Sequence, residues 1–356
     1  MGLFSRTIVP KSFIGVDIGT SALRVVELSG WGDRKTLKNY AQLRVESLYD
    51  KPFRAYEQNS LALSSQDLAR ALRALFEDAG MKNRKAIFSI SDFSSFFTSF
   101  ELPATITRKE LESAVQFEAR KHIPLSLSEV TMDWQILDGP DKGKGTNPYR
   151  VLMVAVPNEI VNEYQNIAKI AGIELIAIEA EVFGVIRACL PEEHGLTLLI
   201  EMGAQTTTIS VVENRKLYLS RSMDQGGNAL TRRISEALAI DYLAAEKEKI
   251  AKGLDVKVGE TKILLPIVDL IVTEVDKFRQ VAERQEKKTI GKIVIAGGSA
   301  RLPGLAAYMQ SKIGVPAEVA NPFREIVYPP VLEPVVQDMG PAFSVAIGIA
   351  LRGFVS

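Results

Sequence analysis

Phe13-Ile14-Gly15-Val16-Asp17-Ile18-Gly19-Thr20-Ser21-Ala22-Leu23-Arg24-Val25-Val26-Glu27-Leu28 runs apolar into an acid, passes one spacer, a glycine and small hydroxyl residues, and returns as a second β-branched run. The same design recurs half a chain later at Leu198-Leu199-Ile200-Glu201-Met202-Gly203-Ala204-Gln205-Thr206-Thr207-Thr208-Ile209-Ser210-Val211-Val212. Both read as hairpins with an acid at the bend. The chemistry suits a phosphate: glycine removes the Cβ that blocks close approach, small residues leave N–H groups free for anionic oxygens, and the acid can hold a divalent cation through water. One such bend alone is an ordinary hairpin turn. Two of them, in otherwise unlike contexts, point to a shared ligand.

A third segment joins them. Lys292–Ala296 reads as a buried strand running into Gly297-Gly298-Ser299-Ala300-Arg301-Leu302-Pro303-Gly304, which opens a helix to Lys312. A diglycine between strand and helix lets a planar ring approach backbone without a side-chain clash, although it also serves as a plain strand-to-helix turn.

The chain has 356 residues, 43 basic against 43 acidic, 46% hydrophobic residues and one cysteine. That length predicts two domains or one divided domain. Zero net charge argues against a nucleic-acid binder, because the basic clusters at Lys247–Lys252 and Lys277–Lys292 are interleaved with glutamate as on solvated helices. Cys189 sits on an apolar helix and is expected to be a buried thiol in a reducing compartment. No uncharged apolar run approaches the ~18 residues of a spanning helix, the longest being Met339–Leu351. Met1–Arg6 lacks a signal-peptide core and a myristoylation pattern, so membrane association is expected through a partner.

Between the hairpins the expected elements are a third strand over Leu37–Leu48 and a helix capped by Ser65 and running to Ala79. A strand Lys85–Ile90 then leads into a compact strand-helix-strand-strand insert. Within the insert, Thr107-x-x-Glu110 reads as a capping box opening a helix to Lys121, and Gly139–Thr146 as a hairpin loop with the wrong spacing for a Walker A motif. Asn158 is expected to cap a helix to Ala171, Glu181 to open a helix to Cys189, and Pro191–Gly195 to mark a domain boundary. Helices Asp241–Lys252 and Thr261–Glu286 form a lobe, and Ala342–Arg352 closes the fold with small residues suited to tight packing.

This order resembles the actin-like ATPase superfamily across nearly the whole chain. The implied fold is an α/β, actin-like (ribonuclease H-like) two-domain fold. Within it, Leu102-Pro103, Lys109-Glu110-Leu111, Phe117-Glu118-Ala119-Arg120-Lys121-His122-Ile123-Pro124, Val130–Leu137 and Ala317–Phe323 resemble the PilM family of type IV pilus assembly proteins, relatives of the cell-division protein FtsA. The resemblance implies a first subdomain, 1A, over 1–92, 157–192 and 334–356, with an FtsA/PilM-type 1C insert at 93–156. It places subdomain 2A at 193–240 and 290–333 and a helical subdomain 2B at 241–289.

The same resemblance implies ATP and Mg2+ as ligands. It makes Asp17, Gly19, Thr20, Ser21 and Arg24 the first phosphate turn and Glu201, Gly203 and Thr206 the second, with Asp17 and Glu201 toward the metal. Glu246, Lys249, Gly297, Gly298, Ser299 and Arg301 become the adenosine contacts, and Glu181 the residue that orients the attacking water. Glu181 equally reads as an acid favoured by a helix N-terminus. Glu201 departs from the family's usual aspartate by one methylene, so Mg-ATP binding with slow or absent turnover is expected. The implied partner is the cytoplasmic N-terminal tail of the inner-membrane protein PilN, held between the first domain and the insert near Phe96–Leu102 and Lys109–Lys121. Homo-oligomers or rings are compatible with the family. An actin-fold sugar-type kinase is the alternative function, but no carboxylate is singled out as its base. An FtsA-like role is another, for which an amphipathic membrane helix is expected beyond the closing helix.

Overall fold

The computed structural model describes residues 11–44, 56–57, 60–61, 64–140, 147–190, 195–259 and 261–355. Met1–Arg6, the end of the expected third strand, positions 141–146 of the insert loop and most of the Pro191–Gly195 boundary lie outside them.

The first hairpin is β1 (Lys11–Ile18) against β2 (Ala22–Trp31), with Asp17 opposite Arg24 and Ile18 opposite Leu23. β3 (Arg34–Arg44) adds a third antiparallel strand. After the short ladder β4 (Tyr56–Glu57) and β5 (Ser60–Leu61) comes α1 (Ser65–Asp78). Ser64, not Ser65, is the N-cap: its hydroxyl accepts the Asp67 N–H, so the first serine of the doublet takes the role. β6 (Lys85–Ile90) pairs parallel with β1, and β10 (Glu174–Ala180) pairs parallel with β6.

The second hairpin repeats this plan strand for strand. β11 (Thr197–Met202), β12 (Thr207–Glu213) and β13 (Lys216–Met223) form the antiparallel set. β16 (Lys292–Ala296) and β17 (Ala317–Val319) then add parallel strands on the other side of β11. The sheets run β10-β6-β1-β2-β3-β18 and β13-β12-β11-β16-β17, so the duplication seen in two short stretches extends to whole sheets. β18 (Ile326–Val327) joins β3, which returns the chain to the first sheet before the expected boundary at 333.

The insert is a three-stranded sheet, β7 (Phe96–Leu102), β9 (Tyr149–Pro157) and β8 (Val130–Asp138), with α2 (Leu111–Ala119) packed on it. Its core of Phe100, Leu102, Leu111, Val115, Tyr149, Val151 and Met153 is separate from the main one. Only half of the expected capping box forms: Glu110 accepts the Thr107 N–H, but the Thr107 hydroxyl donates to the same carboxylate. α3 (Asn158–Ala171) follows Pro157, and Asn158 does not cap it. Its side chain instead donates to Ser128 O and accepts from Thr131 Oγ1, pinning the insert to the helix.

α4 (Glu181–Cys189) leads from the first sheet to the second, and Cys189 is buried. α5 (Gly227–Leu238) and α6 (Tyr242–Lys252) follow the second hairpin. The ladder β14 (Lys257–Val258) and β15 (Thr261–Lys262) occupies the start expected for the long helix, so α7 begins at Leu265 and runs to Glu286. α8 (Leu305–Ile313) follows β16, and α9 (Glu333–Met339) and α10 (Ser344–Arg352) close the chain.

The helical run Pro330–Arg352 has the length and apolar character of a membrane span, but 61% of its most apolar window is buried inside the fold. The burial comes from α10, which crosses α4 backbone to backbone. A Cβ at Gly348 would lie 1.8 Å from Gly184 O, and one at Gly15 would lie 2.0 Å from Ala346 O. Overpacking at such a crossing typically costs ~3 kcal/mol. Gly348→Val is therefore expected to lower the melting temperature by roughly 6 °C or more, read by differential scanning calorimetry. An unchanged melt would show that the helices do not meet there.

Candidate functional site

The two bends are the same object. In the first, Gly19 N–H donates to Ala22 O at 3.1 Å; in the second, Gly203 N–H donates to Thr206 O at 2.9 Å. Each therefore closes a four-residue loop, Gly19–Ala22 and Gly203–Thr206, between paired strands. In each, a Cβ on the glycine would stand 3.1–3.2 Å from that carbonyl and 3.6–3.7 Å from the nearer carboxylate oxygen two residues back. Among the described residues, the N–H groups of Thr20, Ser21, Ala204 and Gln205 donate to no protein acceptor.

The second turn is held from behind. Gly227 N–H donates to Gly203 O at 3.0 Å and Asn228 N–H to Ala204 O at 2.7 Å, while Ser299 Oγ also donates to Gly203 O. In a trans peptide the C=O and N–H point in opposite directions. The N–H groups of Ala204 and Gln205 consequently face away from α5. These are unclaimed donors backed by small residues, the arrangement that favours an anion. Gly226 permits it, since a Cβ there would lie 2.8 Å from Gly203 O and Ala204 O.

Strand register brings the acids together. Ile90 and Ala180 are opposite one another at the ends of parallel β6 and β10, so Asp92 and Glu181 emerge side by side. Asp92 Oδ1 accepts the Val182 N–H at 3.1 Å, capping α4 from a neighbouring loop. Burial pushes Asp92 up to about 7, with the Val182 hydrogen bond opposing. Glu201 rises to about 8, chiefly through burial and then through the charges of Asp17 and Asp92. Burial and the charges of Asp17, Asp92 and Glu201 hold Glu181 well above the carboxylate range. Asp17 is raised by burial, with Arg24 opposing. Four carboxyl groups from both sheets therefore feel one another, a setting completed by a cation.

Arg24 belongs to the first half and faces the diglycine corner of the second. Its Nη1 donates to Asp17 Oδ2 at 3.2 Å and its Nε to Gln42 Oε1, and a Cβ at Gly298 would come within 4.0 Å of its Nη2. Gly297 sits at φ 88° with its N–H on Pro341 O, and a Cβ there would lie 2.5 Å from Glu201 Oε1. The extra methylene of Glu201 thus carries its carboxylate to the diglycine corner.

Lys249 Nζ contacts Glu246 Oε2 at 2.7 Å, Thr231 Oγ1 at 2.8 Å and Gly227 O at 3.2 Å. A Cβ at Gly227 would meet both Ser299 Oγ and Lys249 Nζ, so Glu246, Lys249 and Ser299 converge behind the second turn. Arg301 does not join them. It donates to Gln337 O and pairs with Asp338, on the wall of a separate cleft of about 540 Å3. Thr206 contributes its carbonyl to closing the turn.

Three contributors went unread in the sequence. Asp92 offers no local signal, because only the β6–β10 register brings it to Glu181. Gly226-Gly227 did offer one, being a second diglycine between a strand and a helix, here directly at the helix start. Gln205 occupies the turn position matching Ser21, and its Oε1 is buried without a partner.

Among the described residues no three His, Cys, Asp or Glu side chains form a metal cage. The acids fit Mg2+ nonetheless, because that ion keeps several waters and takes one or two carboxylates plus phosphate oxygens.

A family model described as type IV pilus assembly protein PilM matches residues 15–354. The solved PilM-PilN type IV pilus biogenesis complex superposes with a TM-score of 0.83 at 24% identity, covering 96% of this chain and 98% of that one. MreB5 of Spiroplasma citri bound to ADP superposes with a TM-score of 0.55 at 14% identity, over 97% and 96% of the two chains. The cell division protein FtsA of Streptococcus pneumoniae serotype 2 (strain D39 / NCTC 7466) is 22% identical, over 87% of this chain and 75% of that protein. The fold is therefore actin-like, and the duplicated sheets are its two halves.

Proposed function

This chain belongs to the type IV pilus assembly protein PilM family, and on that premise we propose that it is an ATP-binding, actin-like component of the pilus assembly machinery that docks the cytoplasmic N-terminal tail of PilN. The observation that carries the nucleotide part is the pair of matching turns with unclaimed N–H groups and a shared set of raised acids. Thr20, Ser21, Ala204 and Gln205 would cradle the phosphates, with Arg24 as their cation. Asp17 and Glu201 would face Mg2+ through its waters, which neutralises the acid cluster. Glu246, Lys249, Gly297, Gly298 and Ser299 would hold the nucleoside, and Arg301 would stay with Asp338. Burial and the neighbouring carboxyl groups raise the pKa of Glu181 in the ligand-free protein, which favours its protonated form and opposes action as a base until a cation lowers it, and this fits slow turnover.

In the insert, Phe100, Leu102, Leu111, Val115 and Ala119 are core, so they do not form the docking face. Phe117 on α2 is 63% exposed and lies under Lys121, which makes it the most exposed large apolar side chain that the described insert offers a peptide. The division into 1A, 1C, 2A and 2B follows the same reading, with 2A ending before β18. The protein would work at the cytoplasmic face of the inner membrane through PilN.

A pull-down with the N-terminal PilN peptide, with and without Mg-ATP, tests the docking. Capture by the wild type and at least ~10-fold weaker capture by Phe117→Ser is expected, as for loss of an aromatic anchor. No capture in either nucleotide state would contradict the docking.

A further inference from the structure

The insert is rooted in the first half. β7 continues from the β6 side of the first sheet, and β9 runs directly into α3, where Asn158 fixes Ser128 and Thr131. Its far corner nonetheless closes on the second half. Arg150 on β9 makes a two-pronged ion pair with Glu286, the last residue of α7, with both N···O distances at 2.5 Å. The same guanidinium lies 4.9 Å from the ring centroid of Tyr218 on β13. Beside it, Lys216 Nζ donates to Leu137 O at 2.6 Å and the Tyr218 hydroxyl to Asp138 Oδ2 at 3.3 Å.

The backbone crosses between the two sheets twice, from α4 to β11 and from β17 to β18. The Arg150 corner, by contrast, is built of side-chain contacts, which a relative motion of the halves would separate. The Glu286 side chain is only 7% exposed, so parting the halves strands a carboxylate that the fork had satisfied.

We propose that Arg150, Glu286 and Tyr218 form a latch between the insert and the second half, which must break when the halves part and so sets how fast nucleotide enters and leaves the cleft. The kinetic consequence rests on ATP occupying that cleft; the latch itself does not. The site also ties partner to nucleotide, because a peptide held on the insert and a nucleotide held between the halves would each bias one two-state element.

Three variants test it: Glu286→Gln, Arg150→Lys, which keeps charge but loses the fork, and the exchanged pair Arg150→Glu with Glu286→Arg. In the nucleotide-free protein, hydrogen exchange at Leu137–Asp138 and Lys216–Tyr218 is expected to quicken ~10-fold in the single variants. Dissociation of a fluorescent ATP analogue is expected to quicken about fivefold, and the exchanged pair to recover at least half of each logarithmic change. Unchanged exchange in both single variants, or an exchanged pair no nearer the wild type, would overturn the latch. If the wild type binds no analogue, the nucleotide reading fails, and the exchange measurement alone decides the latch.

Discussion

Gly297→Val is expected to reduce Mg-ATP affinity at least ~100-fold, a loss of about 2.7 kcal/mol in binding, and to leave a folded protein. Two effects coincide at this position. The φ of 88° is one that a β-branched residue tolerates at a cost of roughly 1–3 kcal/mol. The new Cβ also lands 2.5 Å from Glu201 Oε1 and 2.6 Å from Met202 O, on the second acidic bend itself. Met202 O accepts the Ser299 N–H, so the intrusion disturbs the phosphate turn and the nucleoside corner together. Gly314→Val is the control. Its φ is 76°, but a Cβ there meets open space, so it carries the backbone cost without the contact. Titration calorimetry of both variants separates the effects; equal losses of affinity would mean that Gly297 acts through general strain.

Glu201→Gln is expected to stabilise the ligand-free protein at pH 8.5 by up to about 4 kcal/mol and at pH 5 by less than about 1 kcal/mol. Glu201 has its folded pKa raised from 4.5 to about 8. The folded state therefore binds the proton more tightly than the unfolded chain does. Wild-type stability is fullest below about pH 4.5 and falls as pH rises through about 8, because the ionised carboxylate must be held beside Asp17 and Asp92 with little water around it. Glutamine carries no such charge and removes that slope. With Mg-ATP present the ranking should reverse at pH 8.5, since the wild type gains a cation partner that the amide lacks. Melting curves across pH 5–8.5 check this. A variant less stable than the wild type at every pH would show that Glu201 is satisfied as a carboxylate by the protein alone.

The parts of the site that were legible in the sequence are those whose chemistry is local. Gly19 and Gly203 announce their turns because a four-residue loop closing on its own carbonyl needs a glycine and small neighbours. Gly297 announces the corner because β16 ends there. The small residues of α10 likewise forecast a helix that others approach closely, and Gly348 against Gly184 is that approach. What failed was anything decided by distant register. Asn158 looks like a cap, but its amide bridges to Ser128 and Thr131 of the insert. Arg301 looks like part of the adenosine corner because it follows Ser299 by two residues, yet α9 brings Asp338 to it instead. Asp92 is invisible until parallel pairing of β6 with β10 brings it to Glu181. The Arg150–Glu286 pair spans elements with no sequence relation at all.

The central claim is that two turns, one from each half, grip one triphosphate. A crystal structure with Mg2+ and a non-hydrolysable ATP analogue tests it most directly. The phosphates should lie between the N–H groups of Thr20 and Ser21 on one side and Ala204 and Gln205 on the other, with the base at Gly297-Gly298. An analogue touching one turn only, or seated in the Arg301–Gln337 cleft, would contradict it.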